Sequence, residues 1–346
     1  MKNKRYSIKS IAEELGVSIT TVSFVINGKA KERRISEAVT KKILDYIDLI
    51  GYRPNQLAQS LRTGKSKIIV CMMEDISNNF FSKLARLIED IAYEKGYKVI
   101  FCSTENNDEK SIELIDIFRE RQVDGYIIIP SLGIRHKIIE LQTANIPVVL
   151  CDRYFPDLDA NYVVIDNENA AYQAAKHLIE NNFKNIGFIT TDVEQTQMIG
   201  RQTGYVKALN EHGLKPNILT LSYKEKVTGL SKAKILDFLL QNQDLDAMFF
   251  STNYLTKNGL AVIKDNFGNA INNFGLLTFD DNDFFTIYTP EITAVAQPLE
   301  EMAKEVMVTM FGLLKNPEEK MKSYRKVILS TELKIRESSL EKRISF

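Results

Sequence analysis

The chain has 346 residues, too many for one small domain and enough for two or three. Its 44% hydrophobic and 26% charged residues are typical of a globular protein, and no apolar run is long enough to span a bilayer. The net charge is zero, but residues 1–67 carry 14 basic and 6 acidic side chains, a balance of +8. The remainder therefore carries −8, and a basic head on an acidic body is typical of a phosphate-binding module.

Two short helices are predicted at the start of the chain. The first has one apolar face and ends at Gly16, which suits a left-handed helix end. Ser18 suits the N-cap of the second helix, so that the pair predicts a helix-turn-helix whose second helix enters a DNA major groove. Val22 and Val25 should face inward. The side chains left for the groove are Ile19, Thr20, Thr21 and Phe24.

A third helix is predicted between an N-cap at Ser36 and a stop at Gly51. Residues 55–61 are too few to form a stable helix alone in water, and residues 62–66 are predicted to be a linker. We assign residues 1–54 to the head and residues 55–66 to one possible short helix and a linker.

Apolar runs alternate with amphipathic stretches from residue 67 onward, which predicts parallel sheets covered by helices on both faces. The candidate strands are 68–72, 99–102, 126–129, 148–150, 186–189, 248–250 and 275–277. This is too much chain for one such sheet, so the predicted fold is an all-α head plus an α/β body of two doubly wound subdomains with a cleft between them. The assigned subdomain ranges are 67–166 with 298–328, and 167–297 with 329–346.

Polar side chains follow several of these strands, where ligands bind in open α/β sheets. Asp152-Arg153, Asn253 and Asp280 stand at such ends, and Phe80 and Phe81 follow the first strand. Carboxylates, a guanidinium, an amide and aromatic rings together suit a polyhydroxylated or heterocyclic small molecule.

Other classes of function receive no support from the sequence. Three cysteines without short spacing and three scattered histidines make neither a disulfide framework nor a metal site, so no metal or cofactor is expected. The glycine-rich nucleotide loop, the nucleophile elbow and a histidine-bearing catalytic cluster are all missing, and we predict no catalytic residues. The basic, polar N-terminus does not resemble a signal peptide, which predicts a cytoplasmic protein.

The chain resembles the lactose/galactose-repressor (LacI/GalR) family of bacterial transcription factors along its whole length. The body resembles the periplasmic-binding-protein type of effector domain found in that family. The motifs that carry the resemblance are Ile11-Ala12, Gly16-Val17-Ser18, Thr21-Val22-Ser23, Asn27-Gly28, Arg34-Ile35-Ser36, Gly51-Tyr52-Arg53-Pro54-Asn55 and Ala58-Gln59-Ser60-Leu61.

The resemblance implies roles for the head. Ile19 and Thr20 match the family's main base-reading positions. Residues 55–62 match its hinge helix, which folds on operator DNA, so that residues 55–66 are the hinge helix and linker, and Leu61 matches the leucine that this helix wedges into the minor groove. Phe24 departs from the family, because many relatives have a guanine-reading arginine there. The full set of implied DNA contacts is Ser18, Ile19, Thr20, Thr21, Ser23, Phe24, Asn27, Arg34, Ser36, Tyr52, Asn55, Ala58 and Leu61.

The resemblance also implies an effector site in the body. Arg201 matches the arginine that clamps the effector, and we expect nearby acids to hold it when the cleft is empty. Tyr254 departs from the acid that commonly follows Asn253. The implied effector contacts are Phe80, Phe81, Asp152, Arg153, Arg201, Asn253, Asp280 and Gln297.

The predicted function is that of a ligand-gated regulator, most simply a repressor. It would act as a homodimer on pseudo-palindromic operator DNA and respond to a sugar or a related metabolite. The alternative is the same DNA-binding head on a body that a protein partner controls.

Overall fold

The structure is a computed structural model that describes residues 6–53, 64–227, 230–268, 274–315 and 323–341. The chain forms two compact units, Met1–Ser66 and Lys67–Phe346. The predicted hinge contacts Asn55, Ala58 and Leu61 lie outside the described residues.

The described part of the head is a bundle of three helices, as predicted. They are α1 (Ile8–Leu15), α2 (Ile19–Ile26) and α3 (Glu37–Ile50). Ser18 and Ser36 cap α2 and α3 with their hydroxyls, and Gly16 and Gly51 end α1 and α3 in the left-handed region with φ of 65° and 60°. The core packs Ile11, Ala12, Val22, Val25 and Ile43.

The body contains two six-stranded sheets. The first has the order β11-β5-β4-β3-β1-β2, and all of its strand pairs are parallel. Its strands are β1 (Ile68–Met73), β2 (Lys98–Ser103), β3 (Gly125–Ile128), β4 (Val148–Cys151), β5 (Tyr162–Ile165) and β11 (Lys326–Leu329).

The second sheet has the order β12-β10-β9-β8-β6-β7 and is parallel except for β12, which runs antiparallel to β10. Its strands are β6 (Ile186–Thr191), β7 (Asn217–Leu221), β8 (Ala247–Phe250), β9 (Gly275–Phe279), β10 (Thr293–Ala296) and β12 (Glu332–Lys334).

Eight α-helices are described in the body, and they cover the faces of both sheets. They are α4 (Asn79–Glu94), α5 (Asp108–Glu120), α6 (Arg135–Thr143), α7 (Asn167–Glu180), α8 (Thr196–Glu211), α9 (Leu230–Gln241), α10 (Asn253–Phe267) and α11 (Leu299–Lys315). No helix in the described ranges is both long and apolar enough to cross a membrane.

Strand β1 explains why the predicted strands read as continuous apolar runs. Ile69, Cys71 and Met73 pack into one core cluster, whereas Val70 and Met72 pack into another on the opposite face. Both faces of the strand are buried, so every position is apolar.

The list of predicted strands was incomplete, because β5, β7, β10, β11 and β12 were not identified. Three of these five, β7, β11 and β12, are edge strands, and most of their residues are at least partly exposed. Strands β11 and β12 also connect the two sheets, since the chain leaves the first sheet at Leu329 and enters the second at Glu332.

Candidate functional site

Two aspartates occupy corresponding positions in the two sheets. Asp152 follows β4 and Asp280 follows β9, and both adopt a left-handed backbone, with φ of 66° and 68°. Aspartate tolerates this conformation better than most residues, and it turns both side chains toward one cleft. Both are buried, and they share the lining of a cavity of about 40 Å³. That lining also includes Glu74, Asn78, Phe80, Phe81, Arg153, Thr191, Val193, Gln195, Gln197, Met198, Arg201, Tyr223, Thr252, Tyr254 and Gln297.

Arg153 is 2% exposed and is surrounded by hydrogen-bond acceptors. Its guanidinium donates to Oε2 of Glu74 at 2.5 Å, to Oδ1 of Asn106 at 2.9 Å and to Oδ2 of Asp152 at 3.3 Å. Burial opposes the charge of Arg153, but the two carboxylates outweigh it and raise the pKa of the guanidinium. Burial raises the pKa of Asp152, which Arg153 and Arg201 only partly oppose.

Arg201 is held differently from the sequence-based expectation. Its Nε donates to Oδ1 of Asn167 at 2.9 Å and an NH group donates to the carbonyl oxygen of Ser251 at 2.7 Å. Its guanidinium lies 3.9 Å from the centroid of the Phe279 ring. The expectation that acids bind this arginine directly was wrong, because its hydrogen bonds go to neutral oxygens and the acids bond to Arg153 instead. The charge of Arg201 still acts on Asp152, where it opposes the rise in the pKa of that carboxyl.

Helix α8 can place Arg201 there because Gly204 lies one helical turn after it. A Cβ on Gly204 would overlap the carbonyl oxygen of Glu168 and lie 2.7 Å from the nitrogen of Tyr172, both on α7. The glycine therefore allows close approach of the two helices. This approach brings Arg201 within reach of Asn167, the first residue of α7.

Several hydrogen bonds cross the cleft and join the subdomain of the first sheet to the subdomain of the second sheet. The hydroxyl of Tyr223 donates to Oε1 of Glu74 at 2.7 Å. The pKa of Tyr223 is raised, mainly by burial and in second place by the negative charge of Glu74. The side-chain amides of Asn78 and Asn253 exchange two hydrogen bonds, of 3.2 and 3.0 Å. Further cross-cleft pairs are Asn106 with Gln195, Lys83 with Asp283, and the backbone nitrogen of Tyr154 with the hydroxyl of Thr196.

Two side-chain amide oxygens of the cleft lining are buried without hydrogen-bond partners among the described residues. Gln297 donates to Oδ1 of Asp280 at 2.6 Å, which leaves its own Oε1 without a partner among the described residues. Oε1 of Gln197 is likewise buried without a partner there. The rings of Phe80 and Phe81 meet edge to face, with centroids 5.0 Å apart, and add an apolar wall.

The exposed face of α2 is the second candidate surface. Ile19 is 51% exposed and Thr20 is exposed, whereas Val22 and Val25 are buried as predicted. Ser18 and Ser36 use their hydroxyls as helix caps, and the amide of Asn27 donates to the carbonyl oxygen of Ser23 at 2.6 Å. The remaining predicted contacts in the described head are Thr21 and Ser23 on α2, Phe24 beside Arg33, exposed Arg34 and Tyr52 against the core.

Comparisons with known proteins agree on one family. The model for bacterial regulatory proteins of the lacI family matches residues 7–55, and that for periplasmic binding proteins and the sugar-binding domain of the LacI family matches residues 65–247. A periplasmic binding protein-like domain matches residues 175–339. The chain belongs to the LacI family.

Curated relatives of this LacI-family chain are transcriptional regulators. The HTH-type transcriptional regulator RegA of Clostridium saccharobutylicum is 33% identical over 96% of this chain and 99% of its own length. Catabolite control protein A of Priestia megaterium is 31% identical over 87% of this chain and 90% of its own. The LacI-family chain is therefore a DNA-binding transcriptional regulator and not an enzyme.

A solved structure supports the LacI fold of the whole chain. The lac repressor dimer bound to operator and the anti-inducer ONPF superposes with a TM-score of 0.83, at 18% identity, over 97% of this chain and 100% of that one. At this identity the similarity establishes the fold alone. It agrees with the helical head and the two parallel α/β subdomains predicted from the sequence.

The fold of this LacI-family regulator brings most of the predicted cleft residues together. Seven of the eight line the cavity, and Asn253 lies beside it, bonded to Asn78. Sequence reasoning missed Glu74 and Asn78, although both follow β1 and the rule of strand ends applies to them. Tyr223 was missed because β7, which precedes it, was not predicted. No group of metal-ligating side chains is present in the described part of the chain.

Proposed function

We propose that a small, uncharged, hydroxyl-rich molecule of the sugar type controls the DNA affinity of this regulator by binding in the cleft. The observation that carries the proposal is the set of acceptor oxygens that lines the cleft around Asp152 and Asp280. Carboxylates and the free amide oxygens of Gln197 and Gln297 accept hydrogen bonds from hydroxyl groups. Phe80 and Phe81 offer apolar faces to the carbon skeleton of such a ligand.

The charges of the lining disfavour an anionic effector. Three carboxylates, from Glu74, Asp152 and Asp280, face two guanidinium groups. Arg153 already donates to three acceptors, and Arg201 is engaged with Asn167 and Ser251. A phosphate or carboxylate would have to displace these partners and would meet the acids as like charges. An uncharged polyol avoids both costs.

Binding of such a ligand requires the cleft to widen. A cavity of about 40 Å³ holds little more than one water molecule, whereas ligand sites measure roughly 300–1,000 Å³. The cross-cleft hydrogen bonds must therefore exchange for bonds to the ligand, which changes the relation between the two sheets. A ligand that prefers one such arrangement shifts the equilibrium between them, and this difference in affinity is the source of allosteric control.

For the head, we propose a homodimer that places α2 of each copy in the major groove of one operator half-site. The exposure of Ile19 and Thr20 supports their role as base-reading residues. The lac repressor to which the fold is similar is itself a dimer on operator DNA. Residues 55–66 would form the DNA-dependent hinge of this arrangement.

The experiment compares neutral sugars with their anionic counterparts. Full-length protein is screened by thermal shift with hexoses, disaccharides and polyols, and with the matching uronates and sugar phosphates. An operator duplex is first obtained by selection with the same protein. Each hit is then tested for its effect on the affinity of the protein for that duplex. We expect neutral compounds to shift the melting temperature and to change DNA affinity. Hits confined to the anionic set, or no compound affecting DNA affinity, would contradict the proposal.

Variants test whether the response arises in this cleft. Arg201→Ala should lower effector affinity at least about tenfold, the value of one hydrogen bond to a charged group, while DNA binding persists. Arg86→Ala, on the exposed surface of α4 beside Glu89 and Asp90, is the matched control and should respond normally. Unchanged effector affinity in Arg201→Ala would remove this arginine from the site.

A further inference from the structure

Helix α2 has no side chain that can donate two hydrogen bonds to one guanine. Its sequence, Ile-Thr-Thr-Val-Ser-Phe-Val-Ile, contains no charged and no amide side chain over Ile19–Ile26. Guanine presents two acceptors in the major groove, and a fork of two donors recognises them best. A serine or threonine hydroxyl supplies one donor only. The helix by itself can contact thymine methyl groups and single acceptors, but it cannot form this bidentate pair.

The loop after α2 brings a guanidinium to this face. The guanidinium carbon of Arg33 lies 4.9 Å from the centroid of the Phe24 ring. Phe24 is half-buried and does not belong to the apolar core of the described head. Thr20 lies one helical turn before Phe24, so both side chains share one face of α2. Arg33 therefore lies beside the face of α2 that carries the exposed Thr20.

The loop holds Arg33 through its own backbone hydrogen bonds. The backbone nitrogen of Lys29 donates to the carbonyl oxygen of Phe24 at 2.9 Å. The backbone nitrogen of Arg33 donates in turn to the carbonyl oxygen of Lys29 at 3.0 Å. Ile35 donates in turn to Ala30 at 2.9 Å, and both of these side chains pack against the head core. Backbone hydrogen bonds thus connect Arg33 through Lys29 to Phe24, the residue whose ring the Arg33 guanidinium covers.

We propose that Arg33 reads a guanine of the operator and that the ring of Phe24 positions it for this contact, an inference that rests on the proposed placement of α2 in the major groove. A guanidinium that stacks on a ring uses its flat face, so that the N–H groups on its edge stay available for a bidentate pair. The loop thereby supplies the donor fork that α2 lacks. Arg33 is the base-reading residue in this proposal, and Phe24 is a positioning residue.

The test is a selection of operator duplexes from a randomised library with the full-length protein, followed by affinity measurements on the best duplex and its single-base variants. For the wild-type protein we expect the selected duplexes to carry a guanine at one fixed position in each operator half-site. Arg33→Ala should lose about 5- to 150-fold of the preference at that position, the discrimination of one bidentate contact. Arg33→Lys should lose it as well, although the charge remains.

The second variant tests the role of the ring. Phe24→Leu keeps an apolar side chain but removes the stacking surface, so that the same guanine preference should fall by about two- to fivefold. Combined with Arg33→Ala, it should add little further loss at that position. Independent, additive losses would show that the ring does not position Arg33 and would overturn this half of the proposal.

The control separates a base contact from a phosphate contact. Lys31→Ala removes a basic residue of the same loop and should weaken all duplexes alike, with a smaller salt dependence. If Arg33→Ala behaves in this uniform way, or if Arg33→Lys retains the full preference, Arg33 contacts phosphate and the proposal is wrong. An unchanged base preference in Arg33→Ala is equally decisive against it.

Discussion

The hydroxyl of Tyr223 donates a 2.7 Å hydrogen bond to Oε1 of Glu74, while the other oxygen of Glu74 accepts from Arg153. Tyr223 follows β7 in the second sheet, and Glu74 follows β1 in the first. One carboxylate therefore joins the buried arginine of one subdomain to a residue of the other. This link stabilises the narrow form of the cleft and is one that a bound effector has to alter.

Tyr223→Phe should weaken this closure. Loss of a hydrogen bond to a charged group lowers the free energy of unfolding by about 1.5–3 kcal/mol, and it should make the cleft easier to open. Urea denaturation measures the first effect, and small-angle scattering of the body with and without ligand measures the second. Tyr172→Phe removes a similar 2.6 Å bond to Glu211 at the exposed surface and should have a smaller effect. Equal losses in the two variants would contradict a special role for Tyr223.

Gly204→Ala should displace α8 from α7. The new methyl group would overlap the carbonyl oxygen of Glu168, and overpacking of this kind costs about 1–3 kcal/mol, more than the gain in helix propensity. Because Arg201 is carried on the same helix, the variant should also respond less to effector. Gly200→Ala is the milder comparison on the same helix. Its new Cβ would lie 3.1 Å from the Cβ of Asn167, whereas that of Gly204→Ala would overlap a backbone oxygen, so Gly200→Ala should lose less stability. Thermal unfolding and effector titration of both variants test the prediction, and a milder loss in Gly204→Ala would count against it.

Asp281 should make stability depend on acid pH. Burial opposes its ionisation, but hydrogen bonds from Arg336 and Lys334 outweigh it and hold the pKa of the carboxyl below its usual 3.8. The folded state thus binds this proton less readily than the unfolded state, so that the stabilisation is present above pH 3.8 and is lost as the pH falls through the lower folded pKa.

The comparison of wild type with Asp281→Asn measures that contribution. The bidentate pair, with distances of 2.8 and 2.9 Å to Arg336, should give a difference of about 1–3 kcal/mol at pH 7 that shrinks below pH 3.8. Asp159→Asn breaks an exposed pair with Lys326 and should change stability by less than about 1 kcal/mol. A difference that does not depend on pH would assign the effect to packing.

Ser18→Asp should separate helix capping from DNA contact in the head. The serine hydroxyl accepts from the nitrogen of Thr21 at 3.0 Å, and aspartate is an equally good N-cap. Amide exchange of α2 should therefore stay slow, whereas Ser18→Ala should lose about 0.5–2 kcal/mol of local stability. The added charge repels phosphate, and DNA affinity should fall about fivefold or more. Unchanged affinity would place Ser18 away from the DNA backbone.

The sequence by itself determined the architecture of the head and the class of the body. The caps at Ser18 and Ser36 and the stops at Gly16 and Gly51 act within a few residues, so that their signals are readable without tertiary contacts. Six of the eight central strands were predicted too, because a strand covered on both faces is apolar at every position, although β5 and β10 were missed despite being fully buried. Because ligands bind beyond the carboxyl ends of parallel strands, the sequence also predicted that Asp152 and Asp280 lie at the cleft, and both line it.

Only the tertiary structure decided which partners these residues have. Edge strands β7, β11 and β12 were missed because their half-exposed sequences lack a continuous apolar run. Glu74 and Tyr223 are 149 positions apart, and Arg201 meets the carbonyl oxygen of Ser251 50 positions away. Such contacts depend on how two sheets and their helices pack, and a local pattern carries no information about that packing. The acids consequently pair with Arg153, while Arg201 is held by neutral oxygens and a ring.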